Sequence, residues 1–257
     1  MNDVLTELHD SVLLLTLNRV SKHNAFDDRL LLQLQQHIDD AENDPKVRVL
    51  VIKANGRHFS AGADIAWMQR MVLLSEEENI HDAKILARLM YSLHHCLKPT
   101  IAMVHGHAIG GGAGLVAACD VAIAAETARF CFSEVTLGLI PAVISPYVIK
   151  AMGARTAAAL FMSAETFDAK RAYETHLVQH CVPDEELLTF TMNHANQMAK
   201  WPPRAVSAAK SLVLHINDLP LNDELVQITA TLIAKQRVSE EGQLGLKAFL
   251  NKGQHVS

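Results

Sequence analysis

The sequence predicts an α/β fold: a mostly parallel sheet covered by helices on both sides, followed by a helical C-terminal region. Short apolar runs alternate with segments of helical spacing from residue 11 to residue 182. Strand signals then disappear, and helical segments dominate from Asp184 to Lys252. At 257 residues with 49% hydrophobic content, the chain is long enough to bury a large core as one domain or as a domain with a smaller appendage, divided here as 1–195 and 196–257.

The first run, SVLLLTLN (11–18), and the second, VRVLVIKA (47–54), each lead into turn residues. Between them Leu31, Leu34, Ile38 and Ala41 recur on one helix face, which makes a β-α-β unit. Ser75 followed by Glu78 has capping-box spacing and opens a helix that carries Ala83, Leu86, Met90, Leu93 and Leu97 along one side until Pro99 stops it. TIAMVHG (100–106) is the next buried strand, GLVAACD (114–120) a helix and VAIAAE (121–126) another strand, so the strands run parallel. The tail is broken at WPPR (201–204) and at Pro220; its one-sided apolar helices need a surface to cover, either the sheet or another subunit.

Composition excludes several classes of function. A net charge of −5 supplies no basic field for nucleic acid. No apolar run approaches the roughly 20 residues of a membrane helix, and the acidic MNDVLTELHD is unlike a secretory signal, so a cytoplasmic protein is expected. The four cysteines, Cys96, Cys119, Cys131 and Cys181, form no C-x-x-C pair and read as buried free thiols. His94, His95 and Cys96 are adjacent on a helix, point about 100° apart and cannot converge on a metal, so no metal site is expected.

The most informative stretch is HAIGGGAGLV (107–116). A dinucleotide fingerprint beginning at Gly110 has Gly112 in place but Leu115 where the third glycine belongs, and neither a Walker loop nor a G-x-S-x-G elbow is present. Two readings remain from the residues: a tight strand-to-helix turn with close packing, or an anion site made from backbone N–H groups at a helix start. HFSAGADIAWM (58–68) has the same character, with Ser60, Ala61, Gly62 and Ala63 following an apolar strand. Two such turns at the carboxyl ends of parallel strands fall on one edge of the sheet.

FSAGADI (59–65), VHGHAIGGGAGLVAACDVAIA (104–124), FSEVTLGLIP (132–141) and GLKAFLNK (245–252), in this order and over nearly the whole chain, resemble the enoyl-CoA hydratase/isomerase (crotonase) family. The resemblance implies a crotonase spiral of ββα units over 1–195 and a C-terminal helical trimerisation region over 196–257. It also implies a homotrimer or dimer of trimers, and an acyl-CoA thioester substrate of which coenzyme A is a part, with no further cofactor. It places an oxyanion hole on the amides of Ala63 and Gly111, with Gly110 beside the substrate and Glu134 as the acid/base. The apolar neighbours Phe130, Phe132, Val135 and Leu137 are expected to raise the Glu134 pKa by desolvation. Adenine is expected against Ala61, Asp64 and Ile65, the pantetheine and phosphates along Lys22 and Ala25, and the adenosine phosphate near Phe249 and Lys252 of this or a neighbouring subunit.

One position departs from two-glutamate hydratases of the family: the second carboxylate's place is Gly114. Residues 137–154, LGLIPAVISPYVIKAMGA, resemble the bacterial methylglutaconyl-CoA hydratase branch, in which glycine also stands there. This implies hydration of 3-methylglutaconyl-CoA in leucine or related branched-chain catabolism. An enoyl-CoA isomerase using one glutamate, or a non-catalytic CoA- or RNA-binding member, are the alternatives. Ser145 before Pro146 reads as an N-cap and N1 pair, and that helix start is expected to receive a distal acyl carboxylate.

Overall fold

The computed structural model describes residues 2–253, the last two by their backbone alone. The described residues form nine strands: β1 (Val4–His9), β2 (Val12–Leu17), β3 (Val49–Ala54), β4 (Thr100–Val104), β5 (His107–Ile109), β6 (Val121–Ala125), β7 (Arg129–Cys131), β8 (Phe167–Asp168) and β9 (His180–Val182). Six make one sheet in the order β1-β2-β3-β4-β6-β9, parallel except for the edge pair β1–β2. The other three form a small sheet in which β5 runs parallel and β8 antiparallel to β7.

Continuous apolar runs belong to strands buried on both faces, and their alternation divides the core in two. In β3, Leu50 and Ile52 face one cluster and Val49 and Val51 the other; β4 repeats this with Ala102 and Val104 against Ile101 and Met103. The first cluster is closed by α1 (Asp28–Asn43), where Leu31, Leu34, Ile38 and Ala41 are buried as the spacing requires. Burying each of the Leu31, Leu34 and Ile38 side chains stabilises the fold by about 1.5–3 kcal/mol. The short α2 (Ile65–Met71) follows, and then α3 (Glu76–His95), whose Ser75–Glu78 capping box is formed.

The α3 stripe differs from expectation. Leu89, Met90 and Leu93 are buried, whereas Ala83 and Leu97 are exposed: the N-terminal half of the helix reaches past the core, and Leu97 lies beyond its end at His95. α4 (Gly111–Ala118), α5 (Ser145–Met152), α6 (Ala154–Ser163) and α7 (Ala169–Glu174) complete this layer. β1 carries no apolar run because it is an edge strand on which Val4 alone is buried.

The second cluster is closed by α8 (Leu187–Ala199), which lies across β2, β3, β4 and β6 through Leu187 and Ala195. The expected division after residue 195 falls inside this helix. α9 (Pro203–Ile216), α10 (Asp223–Val238) and α11 (Glu240–Gly253) follow, the first two with no buried residue. Apolar side chains lie open on the last two, including Ile233, Leu244, Leu246, Phe249 and Leu250. Among the described residues no helix is long and apolar enough to cross a membrane, and no group of His, Cys, Asp or Glu could hold a metal. All four cysteines are free thiols; Cys96 and Cys131 are buried, and Cys119 and Cys181 are partly buried.

Candidate active site

The two small-residue turns are joined as strands are. Ser60 N–H donates to the His107 carbonyl at 2.9 Å and Ile109 N–H to the Ser60 carbonyl at 3.0 Å, a parallel bridge between Ser60 and Ala108. The glycine turn therefore follows β5 of the small sheet and not β4 directly, as the sequence alone suggested. Gly110, at φ 51° and ψ −118°, takes the chain from β5 into α4 through a conformation that side chains with a Cβ avoid. A Cβ added at Gly112 would stand 2.8 Å from the Ser60 Cβ, so only glycine lets α4 begin this close to the other turn.

Ala63 is bracketed. Phe26 N–H donates to the Gly62 carbonyl at 2.7 Å and Asp64 N–H to the Phe26 carbonyl at 2.8 Å, which fixes the peptide units on either side. α4 starts without a side-chain cap. Among the described residues, the N–H groups of Ala63 and Gly111 donate to no protein acceptor, so a backbone donor is left unused at each turn. A Cβ added at Gly111 would crowd the Phe26 ring at 3.3 Å and touch Leu86 at 3.7 Å.

Glu134 opens a 3-10 turn, Glu134–Leu137, that Gly138 ends in a left-handed conformation. Its Oε1 lies 3.0 Å from where a Gly110 Cβ would stand, and its Oε2 is buried with no hydrogen-bond partner among the described residues. Gly110 N–H donates to the Cys131 carbonyl at 2.8 Å, so the strand that leads to Glu134 is tied to the turn that leads to Gly111. Burial raises the Glu134 pKa above the usual glutamate value, against a smaller lowering by its own backbone N–H. Phe130 and Phe132 are themselves buried, but Val135 and Leu137 are exposed, because the 3-10 turn directs them outward.

Gly114 faces Ile144. A Cβ at 114 would overlap the Ile144 Cγ2 and stand 2.6 Å from its Cβ. Ile144 is 2% exposed and precedes α5, so the volume above Gly114 is filled with hydrocarbon and α4 supplies no second carboxylate there.

The sequence profile of the enoyl-CoA hydratase/isomerase family matches residues 7–256. The chain belongs to the enoyl-CoA hydratase/isomerase family. A Legionella pneumophila chain described as enoyl CoA hydratase/isomerase (crotonase) superposes with a TM-score of 0.94 at 60% identity, covering 98% of this chain and 97% of that one. An enoyl-CoA hydratase from Shewanella pealeana superposes equally well, TM-score 0.94, at 40% identity over 97% of this chain and 94% of its own. The 2,3-dehydroadipyl-CoA hydratase of Escherichia coli is 34% identical over 253 residues, 98% of this chain and 97% of that protein. The fold is that of crotonase, and the protein is an enoyl-CoA hydratase-type enzyme.

In this hydratase/isomerase Gly110 stands beside Glu134, and Phe26 links the two turns, its backbone bridged to Ala63 and its ring 3.3 Å from where a Gly111 Cβ would stand; Ala61 lies on the turn that leads into Asp64, the cap of α2, and Ile65, its first residue. Lys22 is exposed at the end of a 3-10 turn, and Ala25 is buried beside Phe26. Asp64 caps α2 by accepting from Ala66 and Trp67, and Ile65 is 70% exposed. Phe249 stands open on α11, which packs against α9 and α10. The Lys252 side chain lies outside the described residues.

The capping expectation for Ser145 is corrected. Ile144 is the N-cap, Ser145 is the first helical residue, and its hydroxyl donates to the Ala142 carbonyl at 2.8 Å. Ser145 N–H donates to Pro141 and Tyr147 N–H to Ile144, while Pro146 has none, so an anion at this helix start would depend on the Ser145 hydroxyl. The sequence reading missed Arg19, Phe26 and Ile144. Their partners are remote in sequence, and no local spacing marks them.

Proposed function

We propose that the chain hydrates the α,β double bond of a 2-enoyl-CoA thioester, with 3-methylglutaconyl-CoA as substrate and 3-hydroxy-3-methylglutaryl-CoA as product. The carrying observation is the buried carboxylate oxygen of Glu134, without a hydrogen-bond partner among the described residues, beside a turn that presents an unused backbone donor.

The thioester oxygen is assigned to the N–H groups of Ala63 and Gly111. Ionised Glu134 takes a proton from water as the water oxygen bonds to Cβ, and the double-bond electrons move through Cα onto the thioester oxygen. The two fixed amides stabilise that negative charge. Glu134 then returns its proton to Cα as the carbonyl re-forms. One water is consumed, its oxygen going to Cβ and a proton to Cα, and the enzyme ends as it began. A raised pKa suits a carboxyl group that must both accept and donate near neutrality.

The choice of acyl group is supported by the resemblance of 137–154, by glycine at 114, and by a relative named for 2,3-dehydroadipyl-CoA, itself a dicarboxylic acyl thioester. The distal carboxylate is assigned to the α5 start, where the Ser145 hydroxyl exchanges its bond to Ala142 for the ligand. Lys22, Ala25, Ala61, Asp64 and Ile65 are assigned to the coenzyme A moiety, Phe249 and Lys252 to its adenosine phosphate, and no further cofactor enters the reaction. The open apolar faces of α10 and α11 support a homotrimer or dimer of trimers.

The lone carboxylate also favours a second reading, double-bond migration by one shuttled proton. Incubating crotonyl-, 3-methylcrotonyl- and 3-methylglutaconyl-CoA with the enzyme in 18O-labelled water, followed by mass spectrometry, decides between them. Hydration gains one labelled oxygen, fastest with 3-methylglutaconyl-CoA; products without label from every thioester would sink the hydratase reading.

A further inference from the structure

Arg19 holds four groups at once. Its side chain is 14% exposed; one terminal nitrogen, Nη2, lies 3.0 Å from Asp27 Oδ2 and 3.2 Å from Asp64 Oδ2. The other, Nη1, donates to the Ala25 carbonyl at 2.7 Å, and Nε lies 4.0 Å from Asp3 Oδ2. The two nearer aspartates are used in the same way: Asp27 Oδ1 caps α1 by accepting from Leu30 N–H at 2.9 Å, and Asp64 Oδ1 caps α2 by accepting from Ala66 N–H at 2.8 Å. In both, the second oxygen turns to the one guanidinium. The starts of two helices, 37 residues apart in sequence from Asp27 to Asp64, are therefore fastened to a single side chain.

What lies between the fastened points is the bridge that carries Ala63. Ala25 precedes Phe26, Asp64 follows Ala63, and the Phe26–Gly62 and Asp64–Phe26 hydrogen bonds connect them. We propose that Arg19 is a positioning residue that sets the direction of the Ala63 N–H, and through it the polarisation of the thioester carbonyl. The proposal rests on the assignment of that amide to the thioester oxygen. A planar fork can reach two carboxylates and a carbonyl in fixed directions, whereas an ammonium is a point charge without that geometry. A misplacement of about 1 Å costs on the order of 10²-fold in rate, so the effect is large without Arg19 touching substrate.

The test is Arg19→Lys, which keeps the charge and removes the fork. Butyryl-CoA, labelled with 13C at its carbonyl and lacking a double bond, is bound to wild type and variant and its carbonyl stretch read by isotope-edited infrared spectroscopy. Kinetics and thermal melting are measured alongside. Wild type is expected to lower the frequency relative to free butyryl-CoA. In Arg19→Lys most of that shift is lost, and kcat falls by about tenfold or more, with a smaller rise in KM. Asp64→Asn keeps the capping oxygen and weakens the pairing with Arg19; it is expected to lose part of the carbonyl shift and serves if Arg19→Lys does not fold. A wild-type carbonyl shift and kcat in the folded variant overturn the proposal, as does a fall in melting temperature and activity with the carbonyl shift intact. An unshifted carbonyl in wild type overturns both this proposal and the amide assignment. Loss of the shift in Arg19→Lys, with no thioester hydrated by wild type, supports the positioning role and sinks the hydration reading instead.

Discussion

The Ile144 side chain occupies the volume that any side chain at position 114 would need. Gly114→Glu alone therefore forces the start of α5 away from α4 and places a carboxylate among hydrocarbon. Overpacking of this kind costs about 1–3 kcal/mol, before the desolvation of the charge. We expect a clear drop in melting temperature for Gly114→Glu, partly recovered by adding Ile144→Gly. Losses that simply add in the double variant would show that the two residues are not interlocked.

Glu134→Gln keeps the shape of the side chain and removes its proton exchange. kcat/KM is expected to fall by about 10²-fold or more, while the affinity for a saturated acyl-CoA, measured by calorimetry, stays within a few-fold. In wild type the rate should rise with pH through a pKa above the ordinary glutamate value of 4.5, because burial favours the protonated form and the base must be ionised. A rate limb at or below 4.5 contradicts the buried assignment.

Asp64 has the opposite sign. Burial alone would raise its pKa, but the Ala66 and Trp67 amides, then Arg19 and Lys22, outweigh this and leave it below the usual aspartate value of 3.8. A depressed carboxyl group binds fewer protons folded than unfolded, so its contribution is present above 3.8 and lost as pH falls through the lower folded value. Asp64→Ala is expected to destabilise at pH 7 by about 1 kcal/mol as a lost N-cap. The difference from wild type, read from urea unfolding, should shrink in strong acid. A constant difference from pH 7 to pH 2 counts against an ionised cap.

If α10 and α11 bury their open faces against further copies of the chain, Leu246→Asp with Phe249→Asp should release smaller species. Light scattering behind size exclusion at fixed protein concentration reads this directly. An unchanged mass would place the interface elsewhere.

Ser145→Ala removes the one hydroxyl assigned to a distal carboxylate and only a single hydrogen bond to Ala142. A loss of about tenfold in kcat/KM with glutaconyl-type thioesters, and little change with crotonyl-CoA, is expected from a lost hydrogen bond to a charged group. Equal effects on both substrates remove the assignment.

The parts of the molecule legible in the sequence are those where local chemistry and burial agree. Leu31, Leu34, Ile38 and Ala41 face inward because a helix spanning a sheet must bury one stripe, and Ser75 with Glu78 caps α3 through a three-residue spacing alone. The small-residue turns at 60–63 and 110–112 were readable because close backbone approach leaves a compositional trace. β1, and the small sheet of β5, β7 and β8, were not: they are two to six residues long, and β1 is exposed along most of its length, so no run marks them. Arg19 and Ile144 escaped because their roles are set by partners that only the tertiary fold supplies. Ser145 was misread because a serine before proline satisfies a capping pattern whether or not its hydroxyl turns toward the helix; here it turns back to Ala142.

Because 60–62 runs beside 107–109 as neighbouring backbone, the donors assigned to the thioester oxygen belong to the main chain and are pinned to one another. No single codon change to another non-proline residue can delete either N–H. Substitutions at side chains around them, Leu86 and Ile144 included, change the packing at Gly111 and Gly114 and leave both assigned amides in the chain. Such a scaffold can drift in selectivity across generations and keep its reactivity.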